Sequence, residues 1–264
     1  MSRERSAPEP IWGEDHRVPS NDSVLVILPT YNERESLGEI VARLHGVTPQ
    51  ADVLVIDDAS PDCTGELADR LAAADGRISV LHRPGKLGLG TAYLEGFTWA
   101  AAQGYRWVVE MDADGSHLPE QLPDLLTAAR AGAGLVIGAR WVSGGSVVGW
   151  PRHRRWISRT GTRVARTALR SRLHDITSGY RVFDSAWLAL LSPDEVSAEG
   201  YGFQVEVAWG LERLGCPIAE VPITFVERAH GRSKMTTGIV AEALWLVLRH
   251  GLRLRFGKRT RAQT

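Results

Sequence analysis

Residues 107–117 read W-V-V-E-M-D-A-D-G-S-H, an apolar run fit for a buried strand that ends in two carboxylates one residue apart. In an extended chain Asp112 and Asp114 point to the same side, because side chains alternate with period two. Their mutual repulsion calls for a positive partner: a divalent cation, a basic side chain or a helix N-terminus. Hard oxygen donors select Mg²⁺ or Mn²⁺, which keep some of their waters and hold substrate phosphates. That chemistry points to a diphosphate. A lone D-x-D also serves as a turn former or helix cap. Here a second acidic pair, Asp57-Asp58, closes another apolar run, V-L-V-I-D-D, and two such strand ends favour a site.

Carboxylates at the end of an early strand suit ribose hydroxyls or base N–H groups. The chain has neither G-x-G-x-x-G after its first strand nor G-x-x-x-x-G-K-[ST] anywhere, which weakens a dinucleotide or P-loop reading. K-L-G-L-G (86–90) reads as a tight turn into a helix. His117 and His174 flank acidic motifs and read as hydrogen-bonding turn residues, and no Ser-His-Asp set is evident.

The elements that position these residues alternate. Strands are expected at 24–29, 53–58, 78–82, 107–112 and 135–138, with helices from about Glu33, Thr64, Leu89 and Pro119 between and after them. That alternation predicts an α/β fold with a mostly parallel sheet, and ligands bind at the carboxyl ends of such strands. Further on, a basic helix is expected over about 154–173, then D-I-T-S-G-Y-R-V-F, a helix containing Gln204-Val205-Glu206, a strand near 218–221 and a last helix from about Thr237. The division is a loose leader (1–22), one large domain (23–236), and a C-terminal helix with basic tail (237–264).

The leader has no apolar centre of the signal-peptide kind. The longest C-terminal apolar stretch, ten residues from Ile239, contains Glu242 and is too short to span a bilayer. Cys63 and Cys216 form no C-x-x-C, so a reducing cytosol is the simpler setting. A net charge of zero hides nine arginines and no acid between Arg140 and Arg172, and a tail equally free of acid after Glu242. Such blocks suit phosphates or an anionic membrane surface. Nucleic acid is the competing use of the charge, but no nucleic-acid motif accompanies it.

The order of motifs resembles the family 2 inverting glycosyltransferases, and within them the dolichol- or polyprenol-phosphate mannose synthases. L-P-T-Y-N-E-R-E-S-L, V-I-D-D-A-S-P-D, G-L-G-T-A and M-D-A-D-G-S-H-L-P are shared widely in that family. G-W-P-R-H-R-R-W-I-S-R and F-V-E-R-A-H-G-R-S-K are more specific to the polyprenol branch. The resemblance covers roughly residues 23–236 and implies a single GT-A domain, Rossmann-like and nucleotide-sugar-binding. It implies that Pro29, Tyr31, Glu33, Asp57 and Asp58 hold the nucleoside, and that Asp112 and Asp114 hold Mg²⁺ or Mn²⁺ on the donor diphosphate. Arg140, Arg154, Arg228 and Lys234 would clamp donor and acceptor phosphates. Ser116 stands where some relatives place a Gln as third metal ligand. The implied substrates are GDP-mannose and a polyprenyl (dolichyl) phosphate, joined with inversion by an enzyme peripheral to the cytoplasmic face of a membrane. A separate membrane anchor protein is an alternative means of delivery. A UDP-glucose or UDP-N-acetylglucosamine donor, and a non-catalytic nucleotide-sugar-binding partner, are the competing readings.

Overall fold

The computed structural model describes residues 22–191 and 202–228. The leader to residue 21, Lys234, the expected last helix and the basic tail lie outside the described residues. Asp22, assigned to the leader by composition, is tied to the domain: it accepts from Trp107 Nε1 (2.7 Å) and from the Arg130 guanidinium.

In chain order the elements are β1 (Val24–Thr30), α1 (Leu37–Val47), β2 (Asp52–Asp57), α2 (Thr64–Ala74), β3 (Ile78–His82), α3 (Leu89–Gln103), β4 (Trp107–Glu110), α4 (Leu122–Arg130) and β5 (Leu135–Ala139). There follow β6 (Ser146–Val148), α5 (Arg152–Leu169), β7 (Arg181–Asp184), the short α6 (Ser185–Leu188), α7 (Gly202–Arg213), β8 (Ile218–Pro222) and β9 (Thr224–Val226). A seven-stranded sheet has the order β3-β2-β1-β4-β7-β5-β8. Strands β1 to β4 are parallel, β5 and β8 are parallel, and β7 runs against both β4 and β5. The expected mostly parallel sheet is present, with β7 its one reversed strand among the described residues.

Both faces of the sheet are covered, which is why its strands read as near-continuous apolar runs. Along β1, Val24, Val26 and Leu28 face a core with α1, α2 and α4, whereas Leu25 and Ile27 face α3, α5 and α7. α1 buries Leu37, Ile40, Val41 and Leu44 at the spacing of one helical face. It starts four residues after the expected Glu33, because Glu33–Ser36 forms a turn whose Glu33 carbonyl accepts from Ser36 and Leu37 N–H.

Sheet order reverses at β1: β2 and β3 lie on one side, β4 on the other. The carboxyl ends of β1 and β4 therefore border the crevice where doubly wound sheets bind ligands. A second sheet, β6 paired parallel with β9, lies near this end. Val226 N–H donates to Ser116 O (3.1 Å) and Phe225 bridges His117, so β9 is laced to the turn after β4.

Candidate active site

The extended geometry of β4 stops at Glu110, and the carboxylates stand on the turn that follows. Gly115 makes this turn possible with φ +79°, a conformation that side chains with a Cβ rarely adopt. Asp114 Oδ1 accepts from Ser116 N–H (2.9 Å) and from the Ser116 hydroxyl, while Arg228 Nη2 lies 3.0 Å from its Oδ2. Burial raises the Asp114 carboxyl, but Arg228 and the Ser116 donors outweigh it and hold it below its ordinary value. Ser116 is thus the residue that orients Asp114.

Asp112 differs. About a third of its side chain is open (32%) although it is set deep among protein atoms. That burial, with the charge of Asp114 beside it, pushes its carboxyl up to about 8. Its backbone N–H donates to His117 Nδ1 (3.0 Å), so this ring nitrogen carries no proton. His117 is buried, stacks on Tyr180 (4.9 Å) and meets Phe225 edge-on (5.4 Å). Burial lowers it to about 4. It is a neutral clamp on the turn, with its Nδ1 lone pair already used.

Two carboxylates of this kind fit Mg²⁺ or Mn²⁺. Such ions are commonly held by one or two protein carboxylates, with substrate phosphates and water completing the shell. No set of three acidic, His or Cys side chains able to hold a metal occurs among the described residues. Because Asp112 must lose its proton to accept a cation and its carboxyl is raised well above the ordinary range, Mn²⁺ affinity is expected to rise with pH across the neutral range. Calorimetric titration at several pH values checks this, and a flat profile contradicts it.

The proposed nucleoside residues gather at the ends of β1 and β2. The Asp58 carboxylate accepts from Arg83 Nη1 (2.6 Å) and from Leu87 N–H (3.2 Å). This ties the K-L-G-L-G turn to β2 and brings Lys86 Nζ to 4.4 Å from the centre of the Tyr31 ring. Pro29, one residue before the end of β1, pairs with Ile56, and Glu33 is buried at the head of the next turn. Asp57 is placed differently from Asp58. Its carboxylate takes donors from Thr30 Oγ1, Ser60 N and Ser60 Oγ, and only 2% of it is exposed. These bonds fix the turn after β2. Arg83, the first residue after β3, was not singled out from sequence, although its position at a strand's carboxyl end was the available signal.

The three expected phosphate ligands among the described residues are placed differently. Arg228 reaches the acidic turn. Arg154 Nη1 donates to Glu227 (2.8 Å), next to Arg228, and its guanidinium lies 4.1 Å from the Trp150 ring centre. Gly149, with φ +84°, leaves room for Glu227, since a Cβ there would stand 2.8 Å from Glu227 Cβ. Arg140 is the exception. Its guanidinium forks onto buried Asp175 (Nε to Oδ2 2.8 Å, Nη2 to Oδ1 2.7 Å), and its N–H donates to the same carboxylate. Arg140, expected in the phosphate clamp, here braces the end of β5 to the segment before β7. Lys234 lies outside the described residues.

Behind the acidic turn lies a buried polar cluster that no motif in the sequence marks. Glu110 on β4 stands opposite Arg181 on β7, both 0% exposed. Burial pushes Glu110 up to about 7 against the opposing effect of Arg181. Arg181→Ala is expected to cost about 3 kcal/mol, because it strips a buried carboxyl of its counter-charge. Urea unfolding measures this, and a loss below 1 kcal/mol contradicts it.

Residues 25–191 match Glycosyl transferase family 2. The chain belongs to this family. As a family 2 glycosyltransferase it is 53% identical over 233 residues to an undecaprenyl-phosphate mannosyltransferase of Micrococcus luteus, covering 88% of this chain and 96% of that one. It is 48% identical over 248 residues to a polyprenol monophosphomannose synthase of Mycolicibacterium smegmatis, covering 93% and 94%. Among solved structures it resembles glucosyl-3-phosphoglycerate synthase of Mycobacterium tuberculosis in complex with Mn²⁺, UDP-glucose and phosphoglyceric acid (TM-score 0.63, 22% identity, 92% and 85% covered). It also resembles a Pyrobaculum calidifontis mannosyltransferase in complex with GDP-Man and Mn²⁺ (TM-score 0.55, 18% identity, 89% and 75% covered). The family 2 glycosyltransferase fold is therefore GT-A.

Proposed function

We propose that the protein transfers mannose from GDP-mannose to a polyprenyl phosphate with inversion, giving a β-linked polyprenyl-phosphate mannose and GDP. The observation that carries this reading is the delivery of Arg228, from the polyprenol-type motif F-V-E-R, to within 3.0 Å of Asp114. Near-full-length similarity to two lipid-phosphate mannosyltransferases supports it.

A phosphate oxygen of the acceptor attacks C1 of the sugar from the face opposite the diphosphate. The new C1–O bond forms as the old one breaks, and the electron pair leaves with GDP. Mg²⁺ or Mn²⁺, when bound, offsets the charge on that leaving group. Asp112 and Asp114 would hold it, while Pro29, Tyr31, Glu33 and Asp58 border the nucleoside. The acceptor is anionic at neutral pH, so the step needs no strong base, which agrees with His117 being neutral and committed to the turn. Arg228, Arg154 and Lys234 would supply positive charge for the phosphates, with Arg140 bracing the wall behind them. Incubation with labelled GDP-mannose and polyprenyl phosphate should yield a labelled lipid; label that stays water-soluble opposes the reading.

The acceptor is a bilayer lipid, and no described helix is long and apolar enough to cross a membrane. The reading puts the enzyme on the cytoplasmic face of the membrane, with the exposed basic side of α5 against the headgroups. The apolar residues of α5 divide between two faces: Ala165 and Leu169 enter the core, while Trp156 (69%), Ile157 (52%) and Val164 point outward among arginines. An amphipathic basic surface of this kind docks on anionic headgroups, with each basic residue worth about 1 kcal/mol. Replacing Arg159, Arg163, Arg166 and Arg170 with Gln is expected to weaken binding to anionic vesicles. It should also reduce activity on a long-chain acceptor in vesicles more than on a short soluble one. Equal losses with both acceptors would instead favour delivery by a membrane anchor protein.

A further inference from the structure

We propose that Arg228 is a built-in rival of the metal ion at Asp114, and that metal binding frees it to take the acceptor phosphate. This rests on the metal and acceptor roles proposed above.

Both oxygens of Asp114 are engaged. Oδ1 takes two donors from Ser116, whose place is fixed by the turn, and Oδ2 faces Arg228 Nη2 at 3.0 Å. Asp114 is only 7% exposed, so a cation that reaches Oδ2 does so within a few ångströms of the Arg228 guanidinium. A divalent ion held by Asp112 and Asp114 would compete with the guanidinium for Oδ2, since two cations crowded at one buried carboxylate repel. The two partners are not equally mobile. Asp114 sits on a turn pinned by Ser116 and His117. Arg228 follows β9 on a long side chain that is 17% exposed, so Arg228 is the group that moves.

The displaced guanidinium stays tethered beside the metal seat, two residues beyond Val226, whose N–H is held by Ser116 O. Its planar donors suit a phosphate monoester. Metal and acceptor binding are then coupled through one side chain. Metal with donor comes first, and the phosphate site is complete only afterwards. The coupling is reciprocal, so a phosphate monoester that draws Arg228 away must tighten metal binding by the same factor.

The test uses Mn²⁺ alone, without nucleotide sugar, with bound and free ion distinguished by electron paramagnetic resonance. Arg228→Gln is expected to bind Mn²⁺ about tenfold more tightly than wild type, as the loss of one charge-assisted competitor implies. Adding a short prenyl phosphate should tighten Mn²⁺ binding in wild type and leave the Gln variant unchanged. The wild-type arm stands even if the variant folds poorly. Equal or weaker Mn²⁺ binding by folded Arg228→Gln overturns the proposal, as does the absence of any effect of prenyl phosphate on wild type. Since no sugar is present, either result leaves the mannosyl-transfer reading to its own product assay.

Discussion

Asp114→Ala is expected to lower turnover by about a thousandfold, comparable to losing a strong electrostatic contact to the charge that develops in the transition state. The substitution removes one of two carboxylates available to a metal and, with it, the ion pair that Arg228 makes at the seat. Added charge then opposes the metal that the leaving diphosphate needs. Folding should change little by comparison, because Asp114 stands on a turn outside the regular strand and Arg228 is itself partly exposed. Single-turnover kinetics with and without chelator, beside a thermal melt, separate the two effects. Full activity in excess chelator, or a variant within tenfold of wild type, contradicts the metal role.

The second large effect is expected at Arg228. Arg228→Ala should lower kcat/KM by about ten- to a hundredfold, the range for one charge-assisted phosphate contact of roughly 1.5–3 kcal/mol. Lys234→Ala is expected to act in the same direction. The melting temperature should shift far less than it does for Arg181→Ala, since Arg228 is partly exposed on a segment after β9 whereas Arg181 lies within the sheet. The loss should fall on acceptor saturation more than on donor saturation. Wild-type kinetics in both variants would remove them from the site.

The sheet was legible because its parallel strands are buried on both faces and leave unbroken apolar runs. β7 was not recognised as a strand because it has four residues and opens on buried Arg181, which interrupts any apolar pattern. β6 and β9, with three residues each, fall below what periodicity can detect, yet β9 brings Arg228 to Asp114. The acidic turn was visible as a motif, although its geometry comes from a turn and not from strand alternation. Asp57 and Asp58 are neighbours with opposite assignments, one to the Thr30–Ser60 turn and the other to Arg83. Only their three-dimensional partners separate them. Arg140 shows the same limit, since its partner Asp175 is 35 residues away and nothing local in G-A-R-W marks a brace.

The central claim, transfer of mannose to a lipid phosphate, is tested most directly by a donor panel. The protein is incubated with Mn²⁺, polyprenyl phosphate and, in separate reactions, labelled GDP-mannose, UDP-glucose and UDP-N-acetylglucosamine, and the lipid phase is analysed by mass and by the anomeric configuration of the sugar. The account predicts a β-linked polyprenyl-phosphate mannose from GDP-mannose, and little product from the uridine donors. Preferential transfer from a UDP-sugar, an α-linked product, or no lipid product from any donor would contradict it.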